Sequence, residues 1–387
     1  MTLTYKLLKV QEKTTLLKLK QPPKNIVIQK NCDLENASSE NLLGIEKQDL
    51  GESSIKPEKL IDMMYTHPNL PLIRGRPFSG LVKYGHILQE YLDHPAIEVD
   101  PEKDNIQPQL VTGFSANHFE EHKSSIKSVQ EIFPGRKVLV WDLGIAATQH
   151  KQFIMNPDLY DYRKFNFTKY PEEVVWLTNM SFKTLILKDC LMEFGSCLWF
   201  DTSIEFFKDT KEIVKKYVYE RKSSFIYYIR PAIHNPAWAT HPIMYSYFPS
   251  NVTAQLKKTF YMGQGGATIT VNTEELKHGV MKWAIACALT PECIQPNYPI
   301  NHERTDEYGT RYNPWGTFEI RHCDKKNSIF KPFTCHRFDQ SMWMILVSNL
   351  YNLNPIVFRA SMNDVIAMPN RTLAEDKIQR SSWKLKG

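Results

Sequence analysis

Hydrophobic residues are spread unevenly along the chain. Up to about residue 105 the chain is Lys-rich: Leu alternates with Lys over 1–21, a polar stretch fills 31–54, and prolines punctuate 66–77. Only Leu81, Leu88, Tyr91 and Leu92 form a helical stripe there, which predicts a Lys-rich tail or stem over 1–105 with one docking helix. From Gln109 the texture changes. Residues 110–115 read as a strand, 117–133 carry apolar residues at helical spacing, and 137–142 (KVLVWD) read as a second buried strand. Strand, helix and strand within about 35 residues predict a βαβ unit and a parallel sheet. The alternation continues with strands at 163–167, 197–201 (CLWFD), 224–230 and 267–271 (ATITV), and with helices at 182–194, 274–289 and 338–350. No internal repeat is visible. The pattern predicts an α/β domain over 106–387 with a mixed, mainly parallel sheet flanked by helices.

Composition narrows the classes. The chain has 387 residues, 42% hydrophobic and 12% aromatic, which is globular and excludes collagen, coiled coil and low-complexity polymers. The 48 Lys and Arg against 42 Asp and Glu leave +6, too small an excess on this length to argue for nucleic acid. The longest apolar runs, at 280–289 and 342–350, are half of the ~20 residues that a membrane span needs. The first 21 residues never assemble the apolar core of a secretory signal, which points to the cytoplasm. The seven cysteines, four of them in the C-terminal third, and the sequons at Asn36, Asn166, Asn179, Asn251 and Asn370 point instead to an oxidising compartment.

In open α/β sheets ligands sit at the C-terminal ends of the strands, so the polar residues there are the first candidates: Ser115, Asn117 and His118, then Asp142, then Asp201 with Thr202 and Ser203. Three successive oxygen-bearing side chains suit a hard cation or a phosphate-linked sugar, and a strand-terminal Asp equally suits a turn cap. His118, Glu121 and His122 spell H-x-x-E-H, an inverted zinc-protease pattern. His122, however, falls beside the buried stripe Phe119, Ile126, Val129 and Phe133, which predicts a packed histidine, and Asn117 with Glu120 reads as a capping box. His322-Cys323 with Cys335-His336 could close a zinc site, or Cys323 and Cys335 could form a disulfide, and Cys287 and Cys293 stand at a separation that a disulfide bridges. The expectation is that Cys287, Cys293, Cys323 and Cys335 are oxidised as two pairs. Asp339 opens the last helix, where the macrodipole favours a carboxylate with or without a function. Gly263, Gly265 and Gly266, before the strand at 267, would let a ligand approach the backbone.

The order of these pieces is more specific than any one of them. Lys183 on a helix, CLWFDTSI, GGATITVNT and CHRFDQS together resemble the nucleotide-sugar glycosyltransferases of the A-type fold. More closely, NHF at His118, VWDLGI, WFDTSI, THPIM and CHRFDQS are similar to an uncharacterised, nematode-expanded family, domain of unknown function 1647. The resemblance covers about 110–350. It implies that Ser115, Asn117, His118 and Asp142 hold the base and ribose of the donor, and that Lys183 holds a phosphate or sugar. It also implies that Asp201 takes the place of the first acid of a metal motif, that Gly265 and Gly266 wall the sugar pocket, and that Asp339 and Gln340 form the catalytic, acceptor side.

Where the transferases have a second Asp this chain has Ser203, so a manganese site would need Asp201 with Glu205 and His336 or His322. The activity implied is transfer of a hexose or N-acetylhexosamine from a UDP-sugar to the hydroxyl of a glycan or glycoprotein, in the Golgi or ER lumen. A catalytically inactive relative that binds glycans or assists an active transferase is the alternative, and a metalloprotease built on His118 and His122 is a third. The geometry expected of an active transferase places Asp201 beside a cleft with Asp339 across the opening.

Overall fold

Uninterrupted apolar runs become strands with both faces buried. The computed structural model describes residues 63–370 apart from 104–105, 233, 258, 297–303, 306–310, 313–320 and 323–334. The chain divides into two units, 1–54 and 55–387, and the described residues all lie in the second. A hairpin of β1 (Met64–His67) and β2 (Leu70–Pro77) leads into α1 (Leu81–Asp93). Then come β3 (Gln109–Phe114), α2 (Phe119–Ile132), β4 (Val138–Asp142), α3 (Ala147–Ile154) and β5 (Tyr160–Lys164). Next are α4 (Ser181–Phe194), β6 (Ser196–Phe200), β7 (Ile204–Phe206), β8 (Phe225–Tyr227) and β9 (Ala267–Val271). They are followed by α5 (Lys282–Ala288), α6 (Phe338–Leu350) and β10 (Ala367–Pro369).

The main sheet has six strands in the order β5-β4-β3-β6-β9-β8. The first four are parallel, and β9 runs antiparallel to β6 and to β8. This is the mixed, mainly parallel α/β sheet that the pattern predicts. Successive residues of β6 face opposite ways: Cys197 and Trp199 join one apolar cluster with α4, α5 and α6, while Leu198 and Phe200 join the other with α2. The hairpin and α1 contribute Tyr65, Phe78 and Tyr91 to the first cluster. α6 is apolar nearly all round and is buried accordingly.

The chain walks outward from β3 to β4 and β5, then returns to the other side of β3 as β6. Such a reversal leaves a crevice between the C-terminal ends of the two strands where the order changes. Here those strands are β3 and β6.

Several local expectations change. The strand expected at 163–167 lies at Tyr160–Lys164, because β5 is an edge strand in register with β4, from Val138↔Tyr160 to Asp142↔Lys164. Its signal is alternation rather than an apolar run. The helix expected at 274–289 is interrupted by a π-turn, Lys277–Met281, between Glu274–Leu276 and α5. The Asn117–Glu120 capping box does not form, since Asn117 Oδ1 accepts a hydrogen bond from Ser115 Oγ (2.6 Å) and Glu120 pairs with Lys123. α3 and the hairpin lie where no element was expected.

The Cys287–Cys293 disulfide forms, with Cα atoms 5.2 Å apart. A second bridge, Cys190–Cys197, was not foreseen, and it ties the end of α4 to β6. Cys323 and the side chains of Cys335 and His322 lie outside the described residues. Among the described residues no helix is long and apolar enough to cross a membrane.

Candidate functional site

A cavity of about 440 Å³ opens at the β3/β6 crevice. The end of β3 supplies Phe114, Ser115, Asn117 and His118, and β6 supplies Trp199, Asp201, Thr202 and Ser203. Leu143 and the segment bearing Leu177, Thr178, Met180 and Phe182 close the apolar side, and Glu121 reaches in from α2.

At the edge of this cavity three charges from three elements meet. Lys183 Nζ, on the first turn of α4, lies 3.1 Å from Asp201 Oδ1, 3.2 Å from Asp339 Oδ2 and 3.1 Å from the carbonyl oxygen of Gly265. The contacts with Asp201 and Gly265 are hydrogen bonds, whereas that with Asp339 Oδ2 is an ion pair without hydrogen-bond geometry. Trp199 Nε1 also donates to Asp201 Oδ1, at 2.8 Å, and the Lys183 ammonium stands 5.2 Å from the centre of the indole ring. Burial works against the charged lysine, and the fields of Asp201 and Asp339 more than offset it, so its pKa stands above the ordinary value. Burial pushes the Asp339 carboxyl up; Lys183 pulls it down and Asp201 pushes it up again, leaving it raised. Asp201 is different in kind, with 42% of its side chain exposed on the cavity, against 7% for Asp339.

The backbone around this cluster is shaped to admit it. A Cβ on Gly266 would stand 2.5 Å from Asp201 Oδ2, so a larger residue there would push the carboxylate from this position. Gly265 faces Asp339 Oδ2 in the same way at 3.2 Å. Gln340 spends its amide hydrogen on the carbonyl of Gly263 (2.6 Å) and so pins the glycine turn to α6. Met180, just before α4, and Phe338, the first residue of α6, both have left-handed backbones (φ +59° and +39°). Such strain in non-glycine residues concentrates at functional sites, and here it sits where the Lys183 and Asp339 helices begin.

On the opposite wall Glu121 Oε2 accepts from Thr202 Oγ1 (3.0 Å) and meets His118 Nδ1 (3.1 Å). The His118 contact holds its carboxyl below the usual range. This ties the Asp201-Thr202-Ser203 loop to α2.

The other candidates go elsewhere. Asp142 is not on the cavity: its Oδ1 accepts from the amides of Gly144 and Ile145 (2.8 and 2.6 Å) and its Oδ2 from the Tyr162 hydroxyl (2.5 Å). Glu205 is bonded to Ser124 and Asn370. His336 is buried, with Nδ1 accepting from the amide of His241 and Nε2 against the carbonyl of Ile294, both at 3.1 Å. His122 is the packed histidine that the stripe predicts, 2% exposed among Phe114, Phe153 and Tyr160. Burial pushes its pKa down to about 3. It shares no site with His118, so the zinc-protease reading fails.

Asp201, Glu205 and His336 likewise do not converge. Among the described residues no three His, Cys, Asp or Glu side chains could hold a metal ion. Asp201 already serves Lys183 and Trp199, and Glu121 serves His118 and Thr202, so these residues do not fit manganese.

Trp199 was not put forward as a site residue, and Glu121 was named only within the H-x-x-E-H pattern. Trp199 was findable, because residues i and i+2 of a strand share a face and Asp201 follows it by two.

Residues 53–188 match the family model described as "Protein of unknown function (DUF1647)". The match begins earlier than the resemblance read from the motifs, taking in the hairpin and α1, and it includes Lys183 but ends before Asp201. No curated protein matches.

Among solved structures, the mannosyltransferase Ktr4p from S. cerevisiae in complex with GDP is similar at 10% identity, covering 67% of this chain and 78% of that one, with a TM-score of 0.34. Mouse xyloside xylosyltransferase 1 is similar at 10% identity, covering 66% and 85%, with a TM-score of 0.35. A mannosyltransferase from Pyrobaculum calidifontis in complex with GDP-Man and Mn2+ is similar at 11% identity, covering 56% and 58%, with a TM-score of 0.26. At that level of likeness the geometry of the site itself has to carry the functional conclusion.

Proposed function

We propose that the cavity binds a nucleotide-sugar and that the protein transfers a hexose or N-acetylhexosamine from a UDP-sugar to the hydroxyl of a glycan or glycoprotein. The observation that carries this reading is the meeting of Asp201 and Asp339 on one buried lysine beside a cavity at the switch point of the sheet. A volume near 440 Å³ is within the usual range for small-molecule sites. Its two ends suit the two halves of such a donor. Ser115 and Asn117 face a base and ribose, with Phe114, Leu143 and Met180 as apolar walls. Asp201 faces the sugar, whose hydroxyls would donate to its exposed oxygen.

Within this reading Lys183 is a positioning residue, because its buried ammonium is hydrogen-bonded to Asp201 and the Gly265 carbonyl and ion-paired with Asp339. Asp339, with its raised pKa, suits the acceptance of a proton from the incoming hydroxyl. The Gln340 amide holds the glycine turn that walls the sugar. His118 and the hydroxyl of Ser203 face the departing diphosphate. No step is assigned to a metal.

One observation favours a second reading, a catalytically inactive relative that binds glycans or assists an active transferase. Ser203 stands where the resemblance puts the second acid. A ligand panel separates the two. Thermal unfolding is followed with UDP, GDP and their sugars, with and without manganese, on the native protein and on Asp201→Asn. A ligand at 100 times its Kd stabilises the native state by about 2.7 kcal/mol. A transferase shows a nucleotide-dependent rise in Tm and releases nucleoside diphosphate in the presence of glycan; Asp201→Asn keeps the rise and loses the release. Binding without release selects the inactive relative. No shift with any nucleotide at millimolar concentration removes the transferase reading.

A further inference from the structure

Five Asn-x-Ser/Thr sites occur in the sequence, at Asn36, Asn166, Asn179, Asn251 and Asn370. Four of these asparagines are among the described residues, and the fold sorts them into two kinds. Asn179 is wholly buried, its Nδ2 donating to the carbonyl of Glu173 (2.8 Å) and its Oδ1 accepting from the amide of Ser181 (2.9 Å). Asn370 is half-buried, and its Nδ2 is bonded to Glu205 and, at 3.2 Å, to Ser124 Oγ. A sugar on either nitrogen would have to displace these bonds and the packing around them.

Asn166 and Asn251 are exposed and use only their oxygens. Asn166 Oδ1 accepts from the amide (3.1 Å) and the hydroxyl (2.7 Å) of Thr168, the third residue of its own sequon. Asn251 Oδ1 caps the short helix Val252–Gln255 by accepting from Ala254 N at 3.0 Å. Neither Nδ2 makes a hydrogen bond among the described residues.

A second observation points the same way. Cys190–Cys197 and Cys287–Cys293 are closed in the core, and such bridges form and persist in the oxidising compartments where asparagine is glycosylated. We infer that Asn166 and Asn251 carry N-linked glycans and that Asn179 and Asn370 do not. In the transfer, Nδ2 attacks C1 of an oligosaccharide held on a lipid diphosphate. The bond from C1 to the phosphate oxygen breaks, the C1–N bond forms, Nδ2 gives up one proton and the lipid diphosphate leaves. Only nitrogen is substituted, so the three oxygen-accepted bonds survive. The inference holds whatever the cavity binds.

The test uses the full chain behind a cleavable secretory signal in mammalian cells. Site occupancy is read by peptide mass spectrometry after peptide N-glycosidase, which converts each formerly glycosylated Asn to Asp. Asn166 and Asn251 are expected to be occupied, and Asn166→Gln and Asn251→Gln each to remove one glycan from the intact mass. Thr253→Ala keeps the Asn251 cap and destroys the sequon, so it should remove the same glycan even if Asn251→Gln misfolds. Disulfide-bonded secreted protein with either asparagine bare, or with sugar on Asn179 or Asn370, overturns the inference.

Discussion

β4 and β6 flank β3, both are apolar runs, and each delivers an aspartate, Asp142 as the last residue of β4 and Asp201 as the residue after β6. Asp142 is 8% exposed, and two backbone amides and the Tyr162 hydroxyl hold its oxygens. Asp201 meets the ammonium of Lys183 and the indole of Trp199 and keeps 42% of its side chain on the cavity. The strand end alone therefore does not make a binding carboxylate. After β4 the chain turns tightly, and the turn's own amides consume the oxygens. After β6 a cation arrives from α4, a second carboxylate arrives from α6, and glycine leaves room beside Asp201. The first aspartate is spent on the fold and the second is held in place by it.

The sharpest way to break this comparison is to remove the cation. Lys183→Met leaves Asp339 buried against Asp201 with no counter-charge, and losing one partner of a buried pair costs about 3–5 kcal/mol. Unfolding in urea should show that loss, and adding Asn at position 339 should restore much of it. A cost below about 1 kcal/mol for Lys183→Met alone would mean that water, not the lysine, neutralises the pair.

A comparable effect tests the β3–β5 side, where polar groups are buried without a cavity. The folded pKa of His122 is about 3 against an ordinary 6.5, so between those values the unfolded chain binds the extra proton. Stability then falls as pH drops below about 6.5, by ~1.4 kcal/mol for each unit, until the folded value is reached. Comparing unfolding free energies of the native protein and His122→Phe from pH 7 to pH 4 isolates this contribution. Equal slopes would show that His122 is hydrated in the fold.

The two aspartates can be set directly against each other. Asp142→Ala removes the acceptor for three donors and should cost about 1–3 kcal/mol while leaving nucleotide binding unchanged. Asp201→Asn should change stability by about 1 kcal/mol or less, because its amide oxygen can still accept from Trp199 and most of its exposed face is solvated. The reverse ranking in thermal unfolding would exchange the roles given to β4 and β6.

Much of this was present in local pattern. The strand at Ala267–Val271 and the helix at Phe338–Leu350 fall where apolar spacing puts them, His122 packs as its stripe requires, and Asp201 ends an apolar strand. Periodicity reports which face of an element is buried, and that is decided within a few residues of chain. It does not report which elements face one another. That Lys183, Asp201 and Asp339 share a site depends on packing α4 and α6 against the same face of the sheet, and nothing near Asp339 in the sequence announces a lysine 156 residues before it. The Cys190–Cys197 bridge exists because α4 ends at Gly195 in a left-handed turn (φ +70°) that folds β6 back beside it, bringing the Cα atoms within 6.3 Å. Asp142 and Asp201, or Asn179 and Asn251, carry the same local signal and receive different fates. A carboxylate or an amide is consumed or left free by the partners that the tertiary structure brings to it, and those partners come from other parts of the chain.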